Sequence, residues 1–124
     1  LKRADPPLWA GDFEQTEQNI PHLGLRNAAG RRIPWEAWIN LNNCWAFDPH
    51  DRAWKDAKTV IRALVNCVSK EGGLTLNASP DARGRMPAEA VRILREVGGW
   101  LDLNGTSIFG AGEVDLPKPE WGRW

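Results

Sequence analysis

The sequence predicts an α/β fold of strand–helix repeats, a piece of a larger parallel barrel. Three observations carry that reading. Ile61, Leu64, Val65 and Val68 recur at i, i+3, i+4 and i+7, the spacing of one helical face, and Gly72-Gly73 follows them. Leu74-Thr75-Leu76 is too short for a helix and leads into the polar run Asn77-Ala78-Ser79-Pro80, so it reads as a buried strand with a sharp loop at its C-terminal end. In α/β proteins that end of a strand is where ligands usually bind. Finally, strand, loop and helix occur in that order twice, which implies parallel pairing with right-handed crossovers. A parallel strand needs neighbours on both edges and cover on both faces. Two strands and two helices cannot supply that, and a whole barrel needs about 200 residues or more.

Taken in order, Leu1 to Leu8 reads as a loop with adjacent prolines. Trp9 to Pro21 is polar with two aromatics and reads as an irregular loop with at most one helical turn. His22 to Arg32, with Gly24, Gly30 and three arginines, is a surface connection. Ile33 to Glu36 leads into a strand over Ala37–Leu41, where Trp38 and Asn40 alternate with Ile39 and Leu41. Asn42 to Pro49 is the loop after it, and the charged run Asp51 to Asp56 starts a helix reaching about Lys70. Gly72 and Gly73 are expected to stop that helix by taking the left-handed cap conformation. After the strand at 74–76, Asp81 to Arg85 is a turn. Pro87 suits the first position of a second helix, with Glu89 in its first turn favouring the helix dipole. Ala90, Ile93, Leu94, Val97 and Leu101 form its apolar stripe, and Asn104-Gly105 stops it. Ile108 to Gly110 is a short docking segment. Residues 1–112 are thus expected to form the barrel segment, and 113–124 a tail or the start of a following segment.

Composition narrows the function classes. The chain has 124 residues, with 16 basic and 16 acidic side chains and a formal net charge of zero. That balance argues against a nucleic-acid partner, which needs a basic surplus, and against a polybasic membrane anchor. The longest apolar runs are a few residues, too short to span a bilayer. Leu1 to Pro7 holds no apolar core of a secretory signal, and the first residue is not Met, so compartment is not legible from the start of the sequence. Cys44 and Cys67, with only His22 and His50 beside them, fit neither a disulfide framework nor a metal site and read as small apolar fillers. Eight Trp against three Phe and no Tyr is an unusual balance. Trp stacks on sugar faces as readily as it packs a core, so the excess favours a carbohydrate site. Trp35 and Trp38 read as core. Asn77-Ala78-Ser79 and Asn104-Gly105-Thr106 fit the glycosylation sequon but read as loop asparagines bonding backbone.

Several motifs then fall in a telling order. They are Pro34-Trp35-Glu36, Asn43-Cys44-Trp45-Ala46-Phe47, Val68-Ser69-Lys70-Glu71-Gly72-Gly73, Leu76-Asn77-Ala78-Ser79-Pro80, Gly84-Arg85-Met86-Pro87, and Gly99-Trp100-Leu101-Asp102-Leu103-Asn104-Gly105 with Ile108-Phe109-Gly110. In order and spacing they resemble the last third of the catalytic domain of family 29 glycoside hydrolases, the α-L-fucosidases. That family's run reads Trp-Glu, Ser-Trp-Gly-Tyr, Val-Ser-Lys-Asn-Gly-Asn, Leu-Leu-Asn-Ile-Gly-Pro, Gly-x-Ile-Pro and Gly-x-Trp-Leu-x-x-Asn-Gly-x-x-Ile-Tyr-Gly. The likeness covers roughly residues 11 to 110.

The resemblance implies the C-terminal segment of a (β/α)8 TIM-like barrel, incomplete on its own. It implies a retaining exo-α-L-fucosidase acting on a fucosylated glycan, with an Asp nucleophile, a Glu acid/base and no metal or organic cofactor. The family nucleophile lies in a Trp-x-Asp stretch before the region covered here, so this chain is expected to lack it and to need the remainder of the barrel as its partner. Gly11-Asp12-Phe13-Glu14-Gln15-Thr16-Glu17-Gln18-Asn19-Ile20-Pro21 resembles the family's Gly-Asp-Phe-x-Thr-Pro-Glu-Gln-x-Ile-Pro and puts Glu17 at the acid/base position, without the preceding Pro. Glu36 is the second candidate, because an equivalent Trp-Glu has been considered catalytic in other members. The plain alternatives are a solvated loop carboxylate for Glu17 and a strand-entry carboxylate paired with an arginine for Glu36. Trp45 occupies the position of the aromatic wall against the fucose C6 methyl. Cys44 replaces the usual Ser, and Ala46-Phe47 replace Gly-Tyr. The rival reading is a non-catalytic or degenerate carbohydrate-binding module. The resemblance points to a periplasmic, secreted or lysosomal-type parent enzyme, and the sequence neither requires nor excludes an oligomer.

Overall fold

The structure, a computed structural model, describes residues 12–114, 116–117 and 119–122. The loop expected over Leu1–Leu8, Trp9 to Gly11, and Asp115, Lys118, Arg123 and Trp124 of the expected tail lie outside the described residues. The elements run β1 (Glu14–Glu17), β2 (Trp35–Asn40), α1 (Ala57–Val68), β3 (Gly72–Asn77) and α2 (Ala88–Asn104), followed by a 3-10 turn over Gly105–Ser107. The strands form one sheet in the order β1-β2-β3, and both pairings are parallel. The expected α/β class and parallel pairing are present. In register, Gln15 lies beside Glu36 and Glu36 beside Gly73, while Glu17 lies beside Trp38 and Trp38 beside Thr75.

Period-two alternation divides the sheet into two faces. On one face Trp35, Ala37 and Leu74 pack with Cys67 of α1. Toward the strand C-termini, Leu41 and Leu76 meet Val60 of α1 and Ala90, Ile93 and Val97 of α2. The expected stripe of α2 is therefore its buried face. The other face of the sheet carries Gln15, Glu17, Glu36, Trp38, Asn40, Thr75 and Asn77, and Gln15, Glu17 and Trp38 on it are exposed.

Four local expectations change. Residues 14–17 form a strand, not an irregular loop. Glu-Gln-Thr-Glu has no apolar alternation to announce a strand, but β2 supplies an edge: Glu14 donates to the Pro34 carbonyl and Gln18 to the Trp38 carbonyl, each at 2.8 Å. β2 begins two residues earlier than expected, at Trp35. α1 is capped by Asp56, whose carboxylate accepts from the Thr59 amide at 2.7 Å, and ends at Val68 with Ser69 as its right-handed C-cap. Gly72 and Gly73 are the first residues of β3, and the left-handed residue before them is Glu71, at φ 57°. Gly72 is needed for space: a Cβ there would enter the indole of Trp35, 2.5 Å from Cη2. Finally, Pro87 is the N-cap of α2 and not its first helical residue, while α2 stops at Asn104 as expected, with Gly105 right-handed as it enters the 3-10 turn.

Among the described residues, no helix is long and apolar enough to cross a membrane.

Candidate active site

The C-terminal ends of the three strands lie on one side of the sheet, and two of the candidate residues, Glu17 and Trp45, gather there. Glu17 is the last residue of β1. The next residue, Gln18, is held left-handed at φ 52°, a conformation that a side chain with a Cβ adopts at a cost of order 1 kcal/mol or more. Its amide donates to the Trp38 carbonyl at 2.8 Å, and its side-chain carbonyl accepts from the Asn40 amide at 3.4 Å. Those two contacts hold the strained turn and end β1 sharply after Glu17.

Trp38, in register with Glu17, meets Trp45 with ring centroids 6.0 Å apart and planes tilted by 47°. Trp35 is the core tryptophan, 4% exposed, with its indole N–H donating to the Lys70 carbonyl at 3.2 Å. Trp38 is not core. It stands 37% exposed on the open face, because β2 alternates and only the odd-numbered side chains meet the helices. Glu17, Trp38 and Trp45 are thus brought to one rim of the sheet.

Trp45 rides on the loop after β2, and that loop is pinned from β3. The Asn77 side-chain amide donates to the Trp45 carbonyl at 2.7 Å and lies 3.0 Å from the Asn40 side-chain carbonyl. The Ser79 hydroxyl lies 3.1 Å from the Trp45 carbonyl and 3.2 Å from that of Cys44, on a residue itself left-handed at φ 45°. Farther along, the Asp51 carboxylate accepts from the amides of Ala53 at 2.8 Å and Asn43 at 2.9 Å. Those bonds, with Ala53 the stronger influence, hold its carboxyl below the usual carboxylate range. The Cys44 thiol is pushed up, first by loss of water and then by the carboxylates of Asp51 and Asp48. Asn77 and, through the Trp100 carbonyl at 2.9 Å, Asn104 bond backbone as expected of loop asparagines.

Glu36 is on the same face as Glu17 but one strand over and nearer the strand N-termini. One carboxylate oxygen accepts from the Gln15 amide at 2.9 Å, the other from the Thr75 hydroxyl at 2.8 Å. The expected arginine partner is replaced by these two neutral donors. Gln15 and Thr75, and the side-chain contacts of Asn40 and Ser79, have no motif of their own in the sequence. Their signal was a row of polar residues at every second position of each strand, which points nowhere until the register sets the rows beside one another.

Among the described residues, no cluster of His, Cys, Asp and Glu could hold a metal ion. Two runs, Trp54-Lys55-Asp56 and Trp100-Leu101-Asp102, match Trp-x-Asp literally. Neither is a strand end: Asp56 caps α1 and Asp102 is exposed on α2.

A family model described as Alpha-L-fucosidase matches residues 3–106. The chain belongs to the α-L-fucosidase family. Among solved structures, this family member is similar to α-L-fucosidase isoenzyme 1 from Paenibacillus thiaminolyticus, with 49% identity and a TM-score of 0.90 over 92% of this chain and 27% of that one. The α-L-fucosidase from Vibrio sp. strain EJY3 is similar at 26% identity and a TM-score of 0.81, over 90% of this chain and 19% of that one. An α-L-fucosidase of Dictyostelium discoideum is 33% identical over 92 residues, 73% of this chain and 20% of that protein. The chain therefore spans about a fifth to a quarter of the fucosidases it matches.

Proposed function

We propose that the chain is the C-terminal part of the catalytic barrel of a retaining exo-α-L-fucosidase and that Glu17 is its acid/base. The observation that carries this reading is the register of Glu17 beside Trp38, at a strand's C-terminal end, on the face where Trp38 meets Trp45. A carboxyl group belongs there because glycoside cleavage expels a poor leaving group. The Glu17 carboxyl gives its proton to the glycosidic oxygen as the bond to the anomeric carbon breaks. A second carboxylate, from a barrel segment outside these residues and about 5–5.5 Å from Glu17, bonds to that carbon. The Glu17 carboxylate then takes a proton from the water that releases the sugar.

Trp45, 44% exposed beside Trp38, supplies the apolar wall for a 6-deoxy sugar. Removing one methyl-sized group from water is worth about 0.8 kcal/mol, enough to favour fucose over its 6-hydroxy analogue. The Thermotoga maritima α-fucosidase, 26% identical to this chain, has been solved in complex with fucose, which supports the same sugar here. The open sheet face and the outer edges of β1 and β3, which pair with no other described strand, fit the remaining strands of the barrel.

The test is Glu17→Ala in the complete enzyme. Fucosides with poor leaving groups should slow far more than activated aryl fucosides, with azide restoring part of the rate. An unchanged rate, with Glu36→Ala inactive, would transfer the role to Glu36. L-Fucose binding without turnover by the complete protein would favour the carbohydrate-binding module instead.

A further inference from the structure

Building on the assignment of Glu17 as acid/base, we propose that Glu36 is a positioning residue, a clamp across all three strands that fixes where Glu17 reaches. The clamp is visible in its contacts. Gln15 on β1 donates to one Glu36 oxygen and Thr75 on β3 to the other, at 2.9 and 2.8 Å. Gln15 and Glu36 are also register partners, so their bond lies straight across the pair. Glu17 is two residues beyond Gln15 on the same face of β1, and side chains two apart on a strand share one orientation. Holding Gln15 to Glu36 therefore sets the tilt of the row that ends in Glu17.

β1 needs such a clamp. It has only four residues and, among the described strands, pairs with β2 alone. None of its side chains belongs to the apolar clusters. Its side-chain bonds to β2 are the Gln15–Glu36 contact and the Thr16 hydroxyl to the Glu36 carbonyl at 3.4 Å, with the following Gln18 bonded to Asn40. Of these the Gln15 bond alone has a charged acceptor, and hydrogen bonds to a carboxylate are roughly twice as strong as neutral ones.

The same geometry separates Glu36 from the proton-transfer step. Two residues along a strand cover about 6.6 Å. Glu36 lies that far below the level of Glu17 and Trp38, away from the loop that carries Trp45, and both its oxygens already have a donor.

Glutamine distinguishes a clamp from an acid. In Glu36→Gln the new side-chain carbonyl accepts from Gln15, and its amide donates to the Thr75 hydroxyl, which accepts as well as donates. Both bonds survive and the carboxyl proton is gone. The complete enzyme should be assayed with fucosides of graded leaving-group ability, with Glu17→Ala in parallel. Misplacing an acid by about 1 Å costs on the order of a hundredfold, so Glu36→Ala should lose about tenfold to a hundredfold in kcat with poor leaving groups, and Glu36→Gln only a few fold. With a dinitrophenyl leaving group, which needs no proton, Glu36→Ala should lose much less, and KM should barely change throughout. Thr75→Val, which removes one end of the clamp at constant size, should show a smaller loss with the same leaving-group dependence. The proposal is overturned if Glu36→Gln is as slow as Glu36→Ala. It is equally overturned if Glu36→Ala is unaffected, or if it loses equally on all leaving groups with a lower Tm, the mark of a simple strut. If Glu17→Ala itself shows no leaving-group dependence, the acid/base assignment fails, and the clamp with it. If only the Glu36 and Thr75 variants lack that dependence, the clamp alone fails.

Discussion

The side-chain amide of Asn77, at the end of β3, donates to the main-chain carbonyl of Trp45 across 2.7 Å. One bond thus ties the loop bearing the aromatic wall to the neighbouring strand, and Ser79 reinforces it from the next turn. Trp45 faces Trp38 because its backbone is held, not because its ring is buried.

Asn77→Ala should therefore act on substrate choice. Losing this exposed bond costs about 0.5–1.5 kcal/mol, and Trp45 gains freedom to leave Trp38. In the complete enzyme, the ratio of kcat/KM for an α-L-fucoside over the matching α-L-galactoside should fall by up to about fourfold, the roughly 0.8 kcal/mol of one methyl-sized group. Trp45→Ala should lower the ratio at least as far. An unchanged ratio in both variants would remove Trp45 from the sugar pocket.

Gly72→Ala should destabilise the protein without touching the C-terminal ends of the strands. The added Cβ enters the Trp35 indole, whose N–H is anchored to Lys70, so the ring has little room to give. Overpacking of this kind costs about 1–3 kcal/mol, read as a lower denaturation midpoint. Gly73→Ala, where the new Cβ comes only to 3.4 Å of the Glu36 Cβ, should cost less.

The two cysteines should react in a fixed order. Cys67 is fully buried against Trp35 and Ala37, and burial pushes its thiol up to about 11. Iodoacetamide at pH 8 should label Cys44 slowly, since loss of water and then the neighbouring carboxylates raise its thiol, and Cys67 only in denaturant. Peptide mapping by mass spectrometry reads the result, and equal rates for the two would contradict the packing around α1.

Acid should weaken the fold through its loop carboxylates. Asp51 is held below the usual range by the amides of Ala53 and Asn43, Asp56 by Thr59, and Asp81 by the amides of Arg85 and Arg83. A carboxyl group whose folded value is depressed contributes stability above its ordinary value, near 3.9, and loses it as the pH falls through that value toward the folded one. Tm should accordingly drop between pH 5 and the low pH 3 range. Asp51→Asn with Asp56→Asn should lower Tm at pH 7 and flatten that drop. A drop of the same size in the double variant would place the acid sensitivity elsewhere.

The sequence by itself determined the two helices, the central strand and the family. Apolar residues at helical spacing, Asp56 before α1 and Glu89 in the first turn of α2 are local signals, and each acts through neighbours a few residues away. The ordered motifs from Trp35-Glu36 to Ile108-Phe109-Gly110 carry the family likeness and point to Glu36 and Trp45, and the separate Gly11–Pro21 run points to Glu17. Tertiary structure decided the rest. β1 became a strand because the edge of β2 was there to receive it, and its own residues carry no such preference. Gly72 is a glycine because Trp35, distant in sequence, occupies the space of its Cβ. Trp35 and Trp38 parted, one to the core and one to the rim, because alternation assigns opposite faces while only register says which face the helices cover. Glu36 found Gln15 and Thr75 for the same reason: hydrogen bonds across strands depend on pairing, and pairing is not a local property of the chain.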